Sequence, residues 1–131
     1  MHQRIFNYLQ KRNTDRKINI ISRFVSSSGT LLDFGCGDLS MAKELIRLYP
    51  SLQITGVDVV DFSTCPRGIS FRRIKNQRIP FPERSFDMVI SYHVFHHTNN
   101  PACWFAECVR VAKSTILFVE PVYRTSLEIP G

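Results

Sequence analysis

The chain has 131 residues, of which 44% are hydrophobic and 21% are charged. This length and composition are those of one ordinary globular domain, and they argue against a two-domain enzyme, a low-complexity segment or a repeat array. The net charge is +6, and residues 1–30 account for most of it, with six Lys or Arg and one acidic residue.

The first predicted element is helical. Residues 3–25 interleave apolar side chains with Arg and Lys, which predicts one or two amphipathic helices. The segment SSSG at residues 26–29 then interrupts the pattern. A basic segment of this kind can contact nucleic acid, an anionic surface or an acidic substrate, and the alternative is that it forms the solvated face of a helix.

Strands and helices alternate through the rest of the chain. The predicted strands are residues 30–34, 53–59, 69–74, 86–92 and 115–120, and the predicted helices are residues 40–49 and the segment NNPACWFAECVRVA. Because the strands are apolar on both faces, we expect an α/β fold with a Rossmann-like, doubly wound, mostly parallel sheet and helices on both faces. We expect a single domain, with a basic helical segment at 1–28, a core at 29–121 and a tail at 122–131.

No apolar run is long enough to span a bilayer, and the N-terminal segment lacks the apolar centre of a secretory signal. The four cysteines contain no CxxC pair, which indicates reduced thiols and no structural zinc site. We therefore expect the protein in the cytoplasm.

The segment LLDFGCGDLS carries the main functional signal, because a strand breaks at Gly35 and Gly37 and passes directly into a helix. Glycines there let backbone amides approach a ligand. Asp58 follows the second strand, where a carboxylate can accept both hydroxyls of a ribose. This pattern predicts a nucleoside cofactor, although Gly35, Gly37 and Ser40 also approximate a dinucleotide-binding fingerprint.

Charge distinguishes between the two kinds of cofactor. Asp33 and Asp38 flank the glycines, so a pyrophosphate at the start of the helix would be repelled. A ligand with an ammonium and a sulfonium would be attracted. S-adenosylmethionine has both groups and no phosphate.

Four motifs occur in an order that we can compare with a known family: LLDFGCGD, ITGVDV, IPFPERSFDMVISYHVFHH and ECVRVAKSTILFVEP. Together they resemble the class I S-adenosylmethionine-dependent methyltransferases, in particular the type 11 methyltransferase domain, over residues 31–121. The resemblance implies that S-adenosylmethionine is the cofactor. The residues that it would place at the cofactor are Asp33, Gly35, Cys36, Gly37, Asp58, Val59, Asn76, Gln77, Ser91 and Tyr92.

Methyl transfer requires alignment of an acceptor with the sulfonium methyl, and a general base accelerates it when the acceptor is a hydroxyl or an amine. The titratable candidates after the fourth strand are Tyr92, His93 and His96, with His97 beside them. His93 and His97 also have the spacing of zinc ligands on a helix. Val94 stands where the zinc peptidase pattern needs a glutamate, so we predict no metal site.

The sequence departs from the family pattern at three places. Leu39 occupies a position that is often a third glycine, and Lys75 replaces an acid that commonly contacts the adenine amino group. The sequence also ends soon after the predicted fifth strand, where the family usually continues into an antiparallel hairpin, so we expect either a domain truncated after this strand or a partner at its edge. An uncovered fifth strand predicts that a second copy of the chain or another partner pairs with its edge.

Two functions of different class follow. The first is a methyltransferase that transfers a methyl group to an unidentified, small-molecule acceptor by in-line displacement. The second is a degenerate, non-catalytic module that acts as an interaction partner, with or without retained cofactor binding, and a nicotinamide-dependent enzyme ranks third. Three aromatic or charged features are assigned to structure alone: Trp104 and Phe105 to helix packing, and Glu107 with Arg110 to a weak surface pair.

Overall fold

The computed structural model describes residues 2–61 and 65–121 of the chain. The helices are α1 (His2–Ile21), α2 (Ser40–Leu48) and α3 (Pro101–Val111), and a 3₁₀ turn covers Phe95–His97. The strands are β1 (Ser28–Phe34), β2 (Ser51–Asp58), β3 (Ile69–Arg73), β4 (Phe86–Tyr92) and β5 (Ala112–Val119). The predicted tail at 122–131 lies outside the described residues.

The five strands form one sheet in the order β3-β2-β1-β4-β5, and every neighbouring pair is parallel. The chain moves outward from β1 in one direction through β2 and β3, and then returns to β4 on the other side of β1. The connections that leave β1 and β4 therefore diverge, which opens a crevice at the carboxyl ends of these two strands. The predicted Rossmann-like parallel sheet is confirmed, and none of the five described strands is antiparallel to its neighbour.

Two apolar cores form because alternate residues of each strand point to opposite faces of the sheet. Helices α1 and α2 cover one face and α3 covers the other, which confirms the predicted arrangement of helices. The first core includes Ile21, Leu31, Leu45, Ile54 and Ile90. The second core includes Leu32, Val57, Val89, Cys108 and Val111.

Helix α1 is a single helix, and only its C-terminal part is anchored. Ile18 and Ile21 are buried against the first core, whereas the side chains of residues 2–13 are exposed. No helix in the described ranges is long and apolar enough to cross a membrane.

The boundaries of α3 and β5 differ from the prediction. Asn100 caps the start of α3 by accepting a hydrogen bond from the Cys103 amide, and Pro101 opens its first turn, as predicted. Strand β5 begins at Ala112 rather than Thr115, because Ala112 has an extended backbone and already pairs with Phe86. The helix thus passes into the strand without a loop.

The Glu107–Arg110 pair is not the weak surface pair that the spacing predicts. Arg110 Nε lies 2.6 Å from Glu107 Oε2, and both side chains are mostly buried. The guanidinium also donates to the Ile79 and Phe81 carbonyls at 2.9 and 2.8 Å, and Glu107 accepts from the Ile79 amide at 2.8 Å. The pair therefore satisfies backbone groups of a connection that has no regular structure of its own, which i,i+3 spacing alone cannot reveal.

Candidate cofactor site

The turn between β1 and α2 requires both of its glycines, for different reasons. Gly35 and Gly37 have φ angles of +74° and +56°, which favour glycine. A Cβ atom at Gly35 would lie 2.4 Å from Cγ2 of Val94, so backbone and side chain are in close contact there. A Cβ atom at Gly37 would meet nothing within 4 Å. The turn is therefore packed at Gly35 and open at Gly37.

Leu39, the residue at the often-glycine position, does not occupy this open side. Its side chain is fully buried in the first core, and a Cβ atom at Gly56 would lie 2.5 Å from its Cδ2 atom. Gly56, which the sequence reading does not single out, makes room for it beneath the turn. Leu39 therefore leaves the ligand side of the glycine turn clear.

Two carboxylates already hold amides of this turn. Asp58 Oδ2 accepts from the Gly37 amide at 2.9 Å, and Asp38 Oδ1 accepts from the Ser40 amide at 3.0 Å and from its hydroxyl at 2.6 Å. Amides at the start of a helix are the groups that bind phosphate in dinucleotide sites. In this turn a phosphate would have to displace the Asp58 and Asp38 carboxylates from these amides, or lie close to their negative charges.

Asp33 carries a buried carboxyl group at the end of β1. Its side chain is 3% exposed, and its Oδ2 atom has no hydrogen-bond partner. Burial raises the pKa of Asp33 to about 7, Lys17 opposes this rise and Asp58 adds to it. Ser91 Oγ, on the adjacent strand β4, is also buried without a partner. Buried polar atoms without partners are rare, so each of these two marks a place where a polar ligand group fits. The two places lie on opposite faces of the sheet, because Ser91 pairs with Phe34 and Asp33 pairs with Ile90.

A cavity of about 310 Å³ lies at the carboxyl ends of β1, β2 and β4. This volume is at the lower end of the range for small-molecule sites, roughly 300–1,000 Å³. Five of the predicted site residues line the cavity: Gly35, Asp58, Val59, Tyr92 and His93. Asp33, Cys36, Gly37 and Ser91 lie within two positions of these residues in the chain and are not part of the cavity wall.

Asn76 and Gln77 lie apart from the cavity wall, in an exposed turn. Their φ angles are +58° and +53°, and the flanking residues Lys75 and Arg78 form an antiparallel bridge. This is the geometry of a tight turn whose two central residues are left-handed. Ile74, which precedes the turn, is the residue of this segment that lines the cavity. The predicted adenine contact of Asn76 and Gln77 therefore stays a prediction.

His93 follows β4 and faces the cavity. Its φ angle is +55°, and its ring centroid lies 4.2 Å from that of Tyr92. Burial lowers the pKa of His93, while Glu120 opposes the change. The imidazole is therefore neutral at pH 7 and can accept a proton.

Glu120, which the sequence reading does not identify as a site residue, organises the loop after β4. Its Oε1 atom accepts from the Val94 and Phe95 amides at 3.1 and 2.9 Å, and its Oε2 atom lies 2.9 Å from His96 Nδ1. Burial opposes ionisation, but the hydrogen bonds from His96 and the two amides lower the pKa of Glu120 overall. His96 is thus held by Glu120, while His93 and His97 line the cavity. The position of Glu120 at the end of the fifth predicted strand is the sequence signal that could have identified it as a site residue.

The His93 and His97 pair does not lie on one α-helix, because His93 precedes the 3₁₀ turn and has a left-handed backbone. Within residues 2–61 and 65–121, no group of three or more His, Cys, Asp and Glu side chains could hold a metal ion.

Trp104 has two roles, packing and part of the cavity wall, since it lines the cavity and its ring centroid lies 5.4 Å from that of Phe34.

Comparison with known proteins identifies the family. The family model described as a methyltransferase domain matches residues 32–119, about two thirds of the chain. The chain belongs to this methyltransferase domain family. The match covers the glycine turn, Asp58 and the loop after β4, and it confirms the family inferred from the four motifs.

Individual relatives agree with this assignment. Over 89 residues the chain is 33% identical to a malonyl-[acyl-carrier protein] O-methyltransferase of Legionella pneumophila, a match that covers 62% of this chain and 31% of the relative. The structure resembles an S-adenosylmethionine-dependent methyltransferase from Aquifex aeolicus, with a TM-score of 0.69, 17% identity, and coverage of 86% of this chain and 67% of that one. It also resembles the [4+2]-cyclase SpnF, with a TM-score of 0.65, 23% identity, and coverage of 76% and 41%. The two structural likenesses concern the fold alone. The chain spans less than a third of the length of the curated relative.

Proposed function

We propose that the chain binds S-adenosylmethionine in the crevice at the carboxyl ends of β1, β2 and β4, and transfers its methyl group to a small-molecule acceptor. One observation carries this proposal. Carboxylates of Asp58 and Asp38 already hold the Gly37 and Ser40 amides of the glycine turn. Such a turn favours a cationic, phosphate-free nucleoside over a dinucleotide.

The surrounding residues fit the parts of this cofactor. Asp58 would accept the ribose hydroxyls, and Val59 with Ile74 would pack against the adenine at the cavity wall. Gly35, Cys36 and Gly37 would form the backbone beside the methionine end. Asp33 would supply a buried polar atom to the amino acid group of the cofactor, and Ser91, on the opposite face of the sheet, would lie beside the methionine moiety at the end of β4. When bound, the cofactor supplies an electrophilic methyl group on a sulfonium.

The chemistry proposed for this chain is limited to positioning and one proton transfer. His93 would accept the proton of an acceptor hydroxyl or amine, because it faces the cavity and is neutral at pH 7. Tyr92 would hold the His93 ring through their contact. His96 would act through the Glu120 hydrogen bond, which fixes the loop that carries His93.

Calorimetric titration tests the cofactor assignment. We expect the protein to bind S-adenosylmethionine and S-adenosylhomocysteine and not NAD, and we expect Asp58→Ala to weaken binding at least about 100-fold, because buried hydrogen bonds to a charged group each contribute ~1.5–3 kcal/mol. Asp61→Ala is the matched control, since Asp61 is exposed three residues further along the chain. Binding of NAD at the same site, or equal effects of both substitutions, would contradict the proposal.

A non-catalytic role is the second candidate. The likeness to SpnF, a protein named as a [4+2]-cyclase, shows that this fold does not by itself entail methyl transfer, so membership of the family leaves this candidate open. Transfer of a radiolabelled methyl group to any member of an acceptor library would favour the enzyme. Cofactor binding with no transfer across hydroxyl, amine, thiol and carboxylate acceptors would favour the module.

The remaining partners are also proposals. Strand β5 pairs with β4 alone among the described strands, so we propose that a second copy or another partner pairs with its free edge. Light scattering at micromolar concentration should then give twice the monomer mass. Six basic residues lie in the first 30 positions, so we also propose that this segment contacts an anionic surface or nucleic acid. Location in the cytoplasm remains a prediction.

A further inference from the structure

The first half of α1 carries a group of large, exposed apolar side chains. Ile5, Phe6 and Leu9 are 54%, 55% and 50% exposed, and Tyr8 is 64% exposed. Residues three or four positions apart are neighbours on a helix, so Ile5, Phe6 and Leu9 form one apolar stripe. Single exposed apolar side chains are ordinary on protein surfaces, whereas a contiguous group marks a surface that meets another molecule or a membrane.

The apolar stripe faces away from the body of the protein. Leu9 and Ile18 are nine positions apart, about two and a half turns, so they lie on opposite sides of the helix. Ile18 is the residue that packs into the first core. The side of α1 that faces the body is polar, since Gln10 and Thr14 line a cleft of about 130 Å³ with Asp38 at the start of α2. Helix α1 is therefore amphipathic in its first half, with the apolar stripe outward.

Cations continue the apolar stripe toward the end of the helix. Arg12 follows Leu9 by three positions and Arg16 follows Arg12 by four, so both lie on the outward side, and both side chains are exposed. The stripe and these two arginines together form the outer face of α1. Helix α1 holds five Lys or Arg and one acidic residue, Asp15. A partner of the outer face must therefore be negatively charged and must also take up apolar side chains.

These two requirements distinguish among anionic partners. Nucleic acid attracts cations through its phosphates, but it takes most of its contacts from charged and hydrogen-bonding groups, and aliphatic side chains such as Ile5 and Leu9 gain little from it. An anionic lipid bilayer meets both requirements. Its headgroups attract Arg and Lys, and an amphipathic helix buries its apolar face about 5–10 Å into the boundary between headgroups and acyl chains.

We propose that the outer face of α1 binds an anionic lipid surface, with the apolar stripe buried at the headgroup boundary and with Arg12 and Arg16 on the headgroups. The inference rests on the anionic partner proposed above for the basic segment, and it narrows that partner to lipid. It does not depend on the cofactor.

The position of α1 relates this face to the cavity. The Nζ atom of Lys17 lies 5.2 Å from the ring centroid of Tyr92, at the carboxyl end of β4. From there α1 runs to Ile21, and the chain enters the sheet at the amino end of β1. The exposed first half of α1 therefore lies at the carboxyl ends of the strands, where the cavity is. A membrane bound by α1 would lie on the cavity side of the protein.

Vesicle flotation tests the electrostatic part of the proposal. We expect the protein to float with vesicles of equal parts phosphatidylglycerol and phosphatidylcholine, and not with vesicles of phosphatidylcholine alone. Arg12→Gln with Arg16→Gln should weaken partitioning about 25-fold, or about fivefold for each cation near the surface. Arg67→Gln with Arg78→Gln is the matched control, because these two arginines are exposed outside α1 and should change partitioning less than about twofold.

A second pair of variants tests the apolar part. Phe6→Ala with Leu9→Ala keeps every charge and the helix propensity, and we expect it to weaken partitioning more than about tenfold. Phe105→Ala with Val109→Ala is the control, because these side chains are 50% and 47% exposed on α3, and their loss should leave partitioning unchanged. Circular dichroism and thermal unfolding check that each variant is folded.

The outcomes separate lipid from the other partners. Losses in both α1 variants, with flotation retained in both controls, would support the proposal. Equal flotation with neutral and anionic vesicles, or no loss in Phe6→Ala with Leu9→Ala, would overturn it.

Two further results would overturn the lipid surface in favour of another partner. Binding of duplex DNA or single-stranded RNA without flotation would leave the anionic partner of the segment intact. A dimer that Phe6→Ala with Leu9→Ala converts to a monomer, without flotation, would assign the stripe to a second copy of the chain. Absence of vesicle and nucleic acid binding would overturn the inference together with the partner proposed for the segment, while calorimetry with S-adenosylmethionine tests the cofactor separately.

Discussion

The two halves of the candidate site are built by different means. The half at the ends of β1 and β2 consists of a glycine turn whose amides are held by Asp58 and Asp38, all within one stretch of strand, turn, helix and strand. The half at the ends of β4 and β5 consists of a loop held by Glu120 from the far end of the described chain. The first half depends on backbone conformation, and the second depends on side chains that are distant in sequence. Each half should therefore respond to a different kind of substitution.

The largest effect is expected at the contact between the two halves. Gly35→Ala places a methyl group 2.4 Å from Val94 Cγ2 at a φ of +74°, and we expect it to lower the free energy of unfolding by about 2–4 kcal/mol. Gly37→Ala meets open space and should cost only about 1 kcal/mol, the strain of a left-handed backbone. Urea unfolding measures both. The double variant Gly35→Ala with Val94→Ala should recover part of the loss, and failure to recover any would show that backbone strain alone is responsible.

The next effect concerns the dependence of stability on pH in the first half. The pKa of Asp33 rises from 3.8 to about 7 in the folded protein because of burial. The unfolded chain therefore loses this proton near pH 4, while the folded chain keeps it, so Asp33 lowers stability progressively as pH rises from about 4 to 7. We expect Asp33→Asn to remove up to about 4 kcal/mol of this pH dependence, since each pKa unit corresponds to roughly 1.4 kcal/mol.

Asp87 provides the control of opposite sign at the other end of the sheet. Hydrogen bonds from the Thr30 amide and hydroxyl lower the pKa of Asp87, so its contribution to stability is present above the ordinary carboxyl pKa and is lost in acid. Thermal unfolding between about pH 2 and 8 should separate Asp33→Asn, which changes the pH dependence between about 4 and 7, from Asp87→Asn, which changes it only below the ordinary carboxyl pKa. A wild-type protein whose stability does not fall between pH 4 and 7 relative to Asp33→Asn would contradict the prediction for Asp33.

A smaller loss is expected from the second half. Glu120→Ala removes the acceptor of the Val94 and Phe95 amides and of the His96 ring, and we expect a loss of about 1–3 kcal/mol in the free energy of unfolding. Hydrogen exchange should show that protection is lost at these two amides and is retained at Gly37. Glu44→Ala is the control, because Glu44 forms an exposed pair with Arg47 and should cost less than about 1 kcal/mol. An effect that spreads to the glycine turn would show that the two halves are one unit.

The smallest effect is expected on the titration of His93. Burial lowers the pKa of His93 and Glu120 raises it, so Glu120→Gln should lower the pKa of His93 further. Proton NMR of the imidazole signals measures this shift. Glu44→Gln should leave the titration of His93 unchanged, and an upward shift in Glu120→Gln would show that the carboxylate is not the group that favours protonated His93.

Much of the fold and the first half of the site followed from the sequence by itself, because both depend on local features. The alternation of apolar strands with capped helices predicted the parallel sheet, and the spacing from Gly35 to Asp58 assigned both residues to one cofactor site, where the structure has both on the wall of one cavity. Leu39 shows the limit even there, since only its burial against Gly56 explains why it leaves the turn clear.

Only the tertiary structure decided the second half. Glu120 meets Val94, Phe95 and His96 across 24 to 26 residues of chain, and Lys17 reaches Tyr92 from a helix that precedes the sheet. The Glu107–Arg110 pair likewise gained its partners from a segment 28 to 31 residues away. Periodicity and spacing report which residues share one face of one element. They do not report which elements the parallel sheet brings side by side, and that juxtaposition determines the partners of a charged side chain.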